Sequence, residues 1–474
     1  MDRSPQQQTH ASRRPTTGVT LVVMTAMVAA IATAYASSAT PDRARALTFP
    51  NASGVIGTVG IGEADAANPF FQELGTNGRT CATCHLPAQG WSITPAELRD
   101  RFERTDGLDP IFRTNDGSNC AAADVSTIRA RRRAFSLLLQ KGLIRIALDA
   151  PGRAEFDIVE VDDPYRCASP LTAASMYRRP LPSANLKFLS AVMWDGRQST
   201  PGQAIRDGLI AQVVDAVTGH AQGVPPTPAQ VQSVVNFELR LFATQVADRS
   251  AGSLTEGDAR SGPDPLTGVP FCIGINDPLD MLPPMPGSCA GPSGGLDPFV
   301  FTLFRGWTSS GSSHRQAIAR GEAIFNTRPF VIDNVPGLNG RPEDPVRRPI
   351  ISGTCTVCHD TPNAGNHSVP MALNIGVADA SRRTADLPLY TLRRRATGEV
   401  VQTTDPGRAM VTGKWNDIAK FKGPVLRALA ARPPYFHDGS AATLADVIEF
   451  YDTRFQARFT EQEKRDLIAF LLAL

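Results

Sequence analysis

Apolar positions along this chain recur mostly at helical spacing. Between Arg315 and Asn326, Ile318, Gly321 and Phe325 fall at i, i+3, i+7, the stripe of a helix with one buried face. Thr460 and Glu463 form a capping box that opens a last helix carrying Leu467, Ile468, Leu471 and Leu472. Gly321 would let these two helices approach closely. Leu444, Val447, Ile448 and Tyr451 follow i, i+3, i+4, i+7, which puts Tyr451 on a buried helix face. Thr94-Pro95-Ala96-Glu97 and Thr227-Pro228-Ala229-Gln230 each combine an N-cap, a proline at N1 and an acceptor at N3. The second opens a longer helix with Val231, Val234, Val235, Leu239 and Phe242. Ala154 to Val161 alternates as a strand does and predicts one small hairpin. The expected fold class is therefore mainly α, with long loop insertions.

Composition adds limits. The 474 residues are 42% hydrophobic and 20% charged, with 39 Gly and 38 Pro. That length predicts two or three domains with ample material for a core, and the composition excludes disordered, collagen-like and multi-spanning membrane proteins. A formal charge of +2 argues against electrostatic nucleic-acid binding. Residues 1–36 read as an export signal: Arg13 and Arg14, the uncharged and mostly apolar run Gly18 to Thr33, then Ala34-Tyr35-Ala36 as a cleavage site. The alternative is an uncleaved membrane anchor, because the run approaches a bilayer-spanning length. Pro15-Thr16-Thr17 after the arginines favours general secretion over the twin-arginine route. Cleavage would remove Asp2, Arg3, Arg13 and Arg14 and leave equal numbers of acidic and basic side chains. The expected location is periplasmic or otherwise exported, with no stable membrane span after cleavage.

The chemistry lies in the cysteines. Cys81-Ala82-Thr83-Cys84-His85 and Cys355-Thr356-Val357-Cys358-His359 are both C-x-x-C-H. Two thiols at this spacing can add to the two vinyl groups of one haem while the adjacent imidazole reaches the iron. With 8 cysteines and 7 histidines in the chain, one chance occurrence is rare and two are rarer. Zinc would gather four ligands, and a thioredoxin-type pair would not need the fixed histidine. Two covalent c-type haems are expected, on Cys81, Cys84, Cys355 and Cys358, with His85 and His359 as proximal iron ligands.

The remaining cysteines are Cys120, Cys167, Cys272 and Cys289. Cys272 and Cys289 bracket a Pro- and Gly-rich stretch, and a disulfide closing it would offset its chain entropy by roughly 3 kcal/mol. Cys120 with Cys167 would then be the second pair. Four cysteines allow three connectivities, and buried thiols are the alternative. The expected organisation is a signal peptide over 1–36, an N-terminal cytochrome c-like domain over 37–250, a connecting insertion over 251–309 and a C-terminal cytochrome c-like domain over 310–474.

Three further segments carry a family resemblance. Met193-Trp194-Asp195-Gly196-Arg197 resembles the W-D-G-R segment of the bacterial di-haem cytochrome c peroxidase and MauG-like family. Pro434-Tyr435-Phe436-His437-Asp438-Gly439 resembles its P-Y-F-H-D-G segment, and Thr443 to Tyr451 followed by the Thr460 helix resembles its C-terminal pattern. The pieces occur in the family's order, most clearly over Met193 to Gln203 and from Ile318 onward. By this resemblance Trp194 would carry electrons between the haems; otherwise it is a large core residue with its N–H satisfied. His437 would sit in a loop against the second haem.

The resemblance also implies the sixth ligand of the second haem at Tyr451, where peroxidases with a high-potential haem hold Met and the MauG-type branch holds Tyr. A phenolate lowers the iron potential and a thioether raises it. Met371 and His367 are the rival ligands, and a hydrogen-bonded core tyrosine is the plain alternative. At the first haem a peroxidase needs an open iron position and a group that moves a proton between peroxide oxygens. Family members use Glu there, and no Glu lies between Trp194 and Phe237. His220, Asp215 and Gln203 are the candidates, with His220 either an acid–base group or an iron ligand.

The expected function is an exported oxidoreductase reducing a small oxidant such as hydrogen peroxide, with a small redox protein as donor. The alternatives are an electron carrier without catalysis, or a MauG-like protein-modifying or oxygenase enzyme using high-valent haem. Calcium is allowed by the resemblance alone.

Overall fold

The computed structural model describes residues 46–167, 170–200, 202–276, 296–339 and 350–474. The export segment and Cys289 lie outside them. Among the described residues no helix is long and apolar enough to cross a membrane. In chain order the strands are β1 (Leu47–Asn51), β2 (Gly54–Val59), β3 (Ile144–Asp149), β4 (Phe156–Asp162), β5 (Ala173–Arg178), β6 (Phe242–Asp248), β7 (Gly252–Ser253), β8 (Phe330–Asp333), β9 (Ile350–Gly353), β10 (Leu389–Arg394) and β11 (Val400–Thr403). The helices are α1 (Pro95–Thr105), α2 (Ile128–Ala134), α3 (Ser136–Lys141), α4 (Ile205–Gly219), α5 (Pro228–Arg240), α6 (Pro263–Thr267), α7 (Ser313–Thr327), α8 (Ala409–Thr412), α9 (Leu444–Phe455) and α10 (Glu461–Leu472).

The expectation of a mainly α protein is wrong. Among the described residues 34% are helical and 17% extended, and the strands there form four antiparallel sheets, with spatial orders β1-β2-β6-β7, β11-β10-β4, β3-β5 and β8-β9. The alternating segment at Ala154 to Val161 is a strand, β4, but not half of a hairpin. It pairs with β10, with Ile158 opposite Leu392, so its partner lies more than 200 residues away and no local turn signal could announce it. The helix expected to include Phe242 ends at Arg240, and Phe242 starts β6. Within the described part of 251–309, Val300, Phe301, Leu303, Phe304 and Trp307 are buried in a core with α7 and α10. Cys120 and Cys167 form the disulfide expected of them, with Cα atoms 5.4 Å apart.

The helix signals fare better because caps act locally. Thr94, Thr227, Thr443 and Thr460 each accept a hydrogen bond from the N3 amide of α1, α5, α9 and α10. α7 and α10 cross so closely that a Cβ on Gly321 would lie 2.0 Å from the Asp466 carbonyl oxygen. Arg320 reinforces the crossing with two hydrogen bonds to the Asp466 carboxylate, at 2.8 and 2.9 Å. Phe301, Phe325 and Phe470 meet edge-on or tilted around it, with centroids 5.3–5.6 Å apart. Gly321→Ala is therefore expected to force the helices apart and cost about 1–3 kcal/mol, read as a lower chemical-denaturation midpoint; an unchanged midpoint would show that the crossing is not tight.

Candidate functional site: two thiol–imidazole cavities

Both C-x-x-C-H motifs fold into the same turn. A 3-10 turn spans Cys81–Thr83 and its counterpart spans Cys355–Val357, each preceded by a threonine in extended conformation. In each the histidine amide donates to the first cysteine's carbonyl at 3.1 Å. His85 Nδ1 donates to the Trp91 carbonyl at 3.0 Å and His359 Nδ1 to the Gly365 carbonyl at 2.7 Å. This bond fixes the tautomer and leaves Nε2 as the basic nitrogen, the arrangement a metal-ligating imidazole takes. Burial lowers the pKa of both rings, that of His359 to about 4, so both are neutral and able to ligate at neutral pH. The four motif cysteines stay outside the disulfides.

Each motif lines a large cavity. The first has an empty volume of about 1570 Å³ and is lined by Cys81, Cys84 and His85; the second, of about 1650 Å³, is lined by Cys355, Cys358 and His359. A thiol pair, a neutral imidazole and an apolar cavity in each half fit a covalently held haem. The residues that would hold it are those six. Among the described residues no further cluster of His, Cys, Asp and Glu gathers into a cation site.

One wall is common to both cavities. Trp194 lines each of them, as do Arg179, Pro180, Leu181, Pro182, Lys422 and Pro424. The indole N–H donates to the Arg179 carbonyl at 2.8 Å, and the Trp194 carbonyl accepts from the Lys422 amide at 2.8 Å. The next residue, Asp195, is wholly buried and takes a hydrogen bond from Arg178 Nη1 at 2.5 Å. Arg178 also donates to both Asp405 oxygens, at 2.7 and 2.9 Å. Burial opposes both carboxylates, yet the Arg178 charge outweighs it and holds Asp195 and Asp405 below the usual range.

The sequence candidates for the first cavity separate. His220 lines it, with Nδ1 2.5 Å from Asp116 Oδ2. Asp116 is also paired with Arg79 at 2.6 Å. Burial would raise the Asp116 pKa, but the His220 hydrogen bond and the Arg79 charge bring it below normal. Asp215 and Gln203 are exposed and do not line the cavity; Asp215 accepts from Gln198 on the outer side of α4. Glu238, which sequence reading passed over, does line the cavity. It is buried, its Oε2 has no hydrogen-bond partner, and burial pushes its pKa to about 8 against a weaker pull from Ser183. A signal for it existed: Glu238 continues the Val231, Val234, Val235 stripe at i+7.

In the second cavity Tyr451 lies beside the motif, and burial followed by the nearby Cys358 and Cys355 raises its pKa. Val447, Ile448 and Phe455 of α9 line the same wall. His367 lines the cavity and Met371 does not. His437 lines it too, stacked on Phe421 at 4.1 Å, with its ring 6.2 Å from the Trp194 ring and Nε2 3.7 Å from Asp405.

Two cavities with matching thiol–imidazole turns define the class, a protein built to hold c-type haem. No protein-family profile matches the chain. The cytochrome-c peroxidase IdrP1 of Denitromonas iodatirespirans is 31% identical over 140 residues, 25% of this chain and 36% of that protein. The cytochrome c551 peroxidase of Nitrosomonas europaea is 40% identical over 76 residues, 15% of this chain and 23% of that one. A crystal structure of a MauG-like protein associated with microbial copper homeostasis aligns over 86% of this chain and 87% of its own, at 15% identity and a TM-score of 0.39. The match spans little more than a third of the first curated relative's length. These peroxidase relatives support the resemblance to the di-haem cytochrome c peroxidase and MauG-like family.

Asp405→Asn leaves Arg178 with one charged partner inside the protein and is expected to cost about 3–5 kcal/mol at pH 7, measured by chemical denaturation. Because the folded carboxylates titrate below the ordinary aspartate value of about 3.9, their stabilisation is present above that pH and lost as the pH falls through their depressed values. The gap between wild type and variant should therefore narrow in acid; a gap independent of pH would refute the charge bridge.

Proposed function

We propose that the chain is an exported di-haem c-type oxidoreductase that reduces hydrogen peroxide, with electrons relayed between the haems through Trp194. The observation that carries this reading is that one indole, fixed at its N–H and at its backbone carbonyl, lines both cavities. A c-type haem supplies redox-active iron; the chain's residues supply position and protons. Reducing one peroxide to two waters consumes two electrons and two protons. Asp116 engages His220 Nδ1 and leaves Nε2 as the nitrogen that takes and returns a proton, with Arg79 keeping Asp116 ionised. The electrons would come from a small redox protein.

A second reading, a MauG-like enzyme that oxidises another protein, is favoured by Tyr451 at the second cavity, since a tyrosine ligand supports high oxidation states.

The spin state of each haem in the ferric protein tests the first reading. One high-spin haem that responds to peroxide is expected, with His220 as acid–base group. Two low-spin haems indifferent to peroxide would instead make the protein an electron carrier. Trp194→Phe should slow peroxide turnover on the order of tenfold, about 1.4 kcal/mol of barrier, with haem content unchanged; full turnover would remove Trp194 from the path. Tyr451→Met should raise the midpoint potential of one haem and change its spectrum, and an unaltered potential would dismiss Tyr451 as a ligand.

A further inference from the structure

The wall between the cavities holds cations that lack counter-ions. Arg179 and Lys422 line both cavities and Arg432 lines the second. Arg179 is 5% exposed and Lys422 8%. Among the described residues the Arg179 guanidinium donates only to backbone carbonyls, those of Lys141, Gly142, Arg432 and Pro433, at 3.3–3.5 Å. Arg432 Nη2 donates to the Val425 and Arg427 carbonyls, and its buried Nε has no hydrogen-bond partner. None of the three forms an ion pair among the described residues, and no hydrogen bond joins Lys422 Nζ to any of them. Two other buried guanidiniums on the first cavity differ: Arg79 has Asp116, and Arg178 has Asp195 and Asp405, while Arg427, which lines neither cavity, donates to the Ser261 hydroxyl.

An uncompensated buried cation costs several kcal/mol, and three that repel one another cost more. Burial and then the Arg432 charge pull the Lys422 ammonium down to about 7. Lysine can escape by losing its proton; arginine cannot. The wall therefore calls for an anion that reaches it from the cavities, carries carboxylates and arrives on both sides. A haem attached at either motif brings two propionate carboxylates.

We propose that Arg179, Lys422 and Arg432 form one shared carboxylate site that takes haem propionates from both cavities, so that the same cations set the potentials of both haems. This rests on the two-haem reading above, and haem content separates the two. If purified wild-type protein carries other than two covalent haems per chain by the pyridine haemochrome assay, that reading fails first.

With two haems present, the test compares Lys422→Gln, Lys422→Arg and wild type by redox titration and by resonance Raman spectroscopy of the propionate bending bands. Loss of a positive charge beside iron favours the more positive, oxidised form. Lys422→Gln is expected to lower both midpoint potentials and shift the propionate bands of both haems, while Lys422→Arg keeps wild-type values. A shift at one haem only overturns the shared site, and no shift at either overturns the site altogether. Should Lys422→Gln fail to yield folded holoprotein, Arg179→Gln is read against the same two outcomes.

Discussion

The structure turns on a buried guanidinium. Arg178 ends β5 and is 2% exposed, and its charge cannot be shed by losing a proton. It must therefore be met by carboxylates, and the two that meet it come from distant parts of the chain, Asp195 and Asp405. Satisfying both at once fixes the Trp194 segment against β5 and against the loop that follows β11. Phe421, which lies under both the Arg178 guanidinium and the His437 ring, is carried into the same assembly. The partition between the two cavities is thereby tied together from within by charge-assisted hydrogen bonds.

The two motif turns are near copies, but the cavities they line are not. The first has a polar corner of His220, Asp116 and Arg79, with Glu238 as a further acid. The second is lined by Tyr451, His437, Phe325, Phe455 and a series of aliphatic residues from α9 and α10. Proton handling needs titratable groups held in defined states, and electron transfer needs only contact and a suitable potential. The unequal linings thus fit a proposed division in which peroxide chemistry belongs to the first cavity and electron supply to the second.

What could be read from sequence follows the range of the interactions. Both C-x-x-C-H turns, the threonine caps of α1, α5, α9 and α10 and the α7–α10 crossing at Gly321 depend on residues within a turn or on a clear helical period. The sheets were illegible because their pairings are remote and their strands short: β10 and β11 contain Arg, Thr and Gln among their apolar residues and resemble loop. In the W-D-G-R segment the tryptophan is the conspicuous residue, yet it is the aspartate that meets Arg178, and nothing local ties Asp195 to Asp405. Asp116 was hidden for the same reason, being 104 residues from His220. Glu238 is legible as the polar member of an apolar stripe, seven residues after Val231.

Net charge conceals how charge is arranged. The chain has 48 basic and 46 acidic side chains, and beside the cavities the buried Arg79 and Arg178 are matched to carboxylates, while Arg179, Lys422 and Arg432 are not. An anion that reaches such a buried excess of positive charge would relieve its cost. If the anions are the haems' own carboxylates, cofactor binding and final packing of the partition are coupled, since a group that binds only the folded chain stabilises it by an amount that grows with the logarithm of its affinity. The same wall would then serve both ends of the proposed relay, because the groups that anchor each cofactor flank the indole between them. Moving a cation in this wall would alter both cofactor sites together, which ties the stability of the partition to the potentials across it.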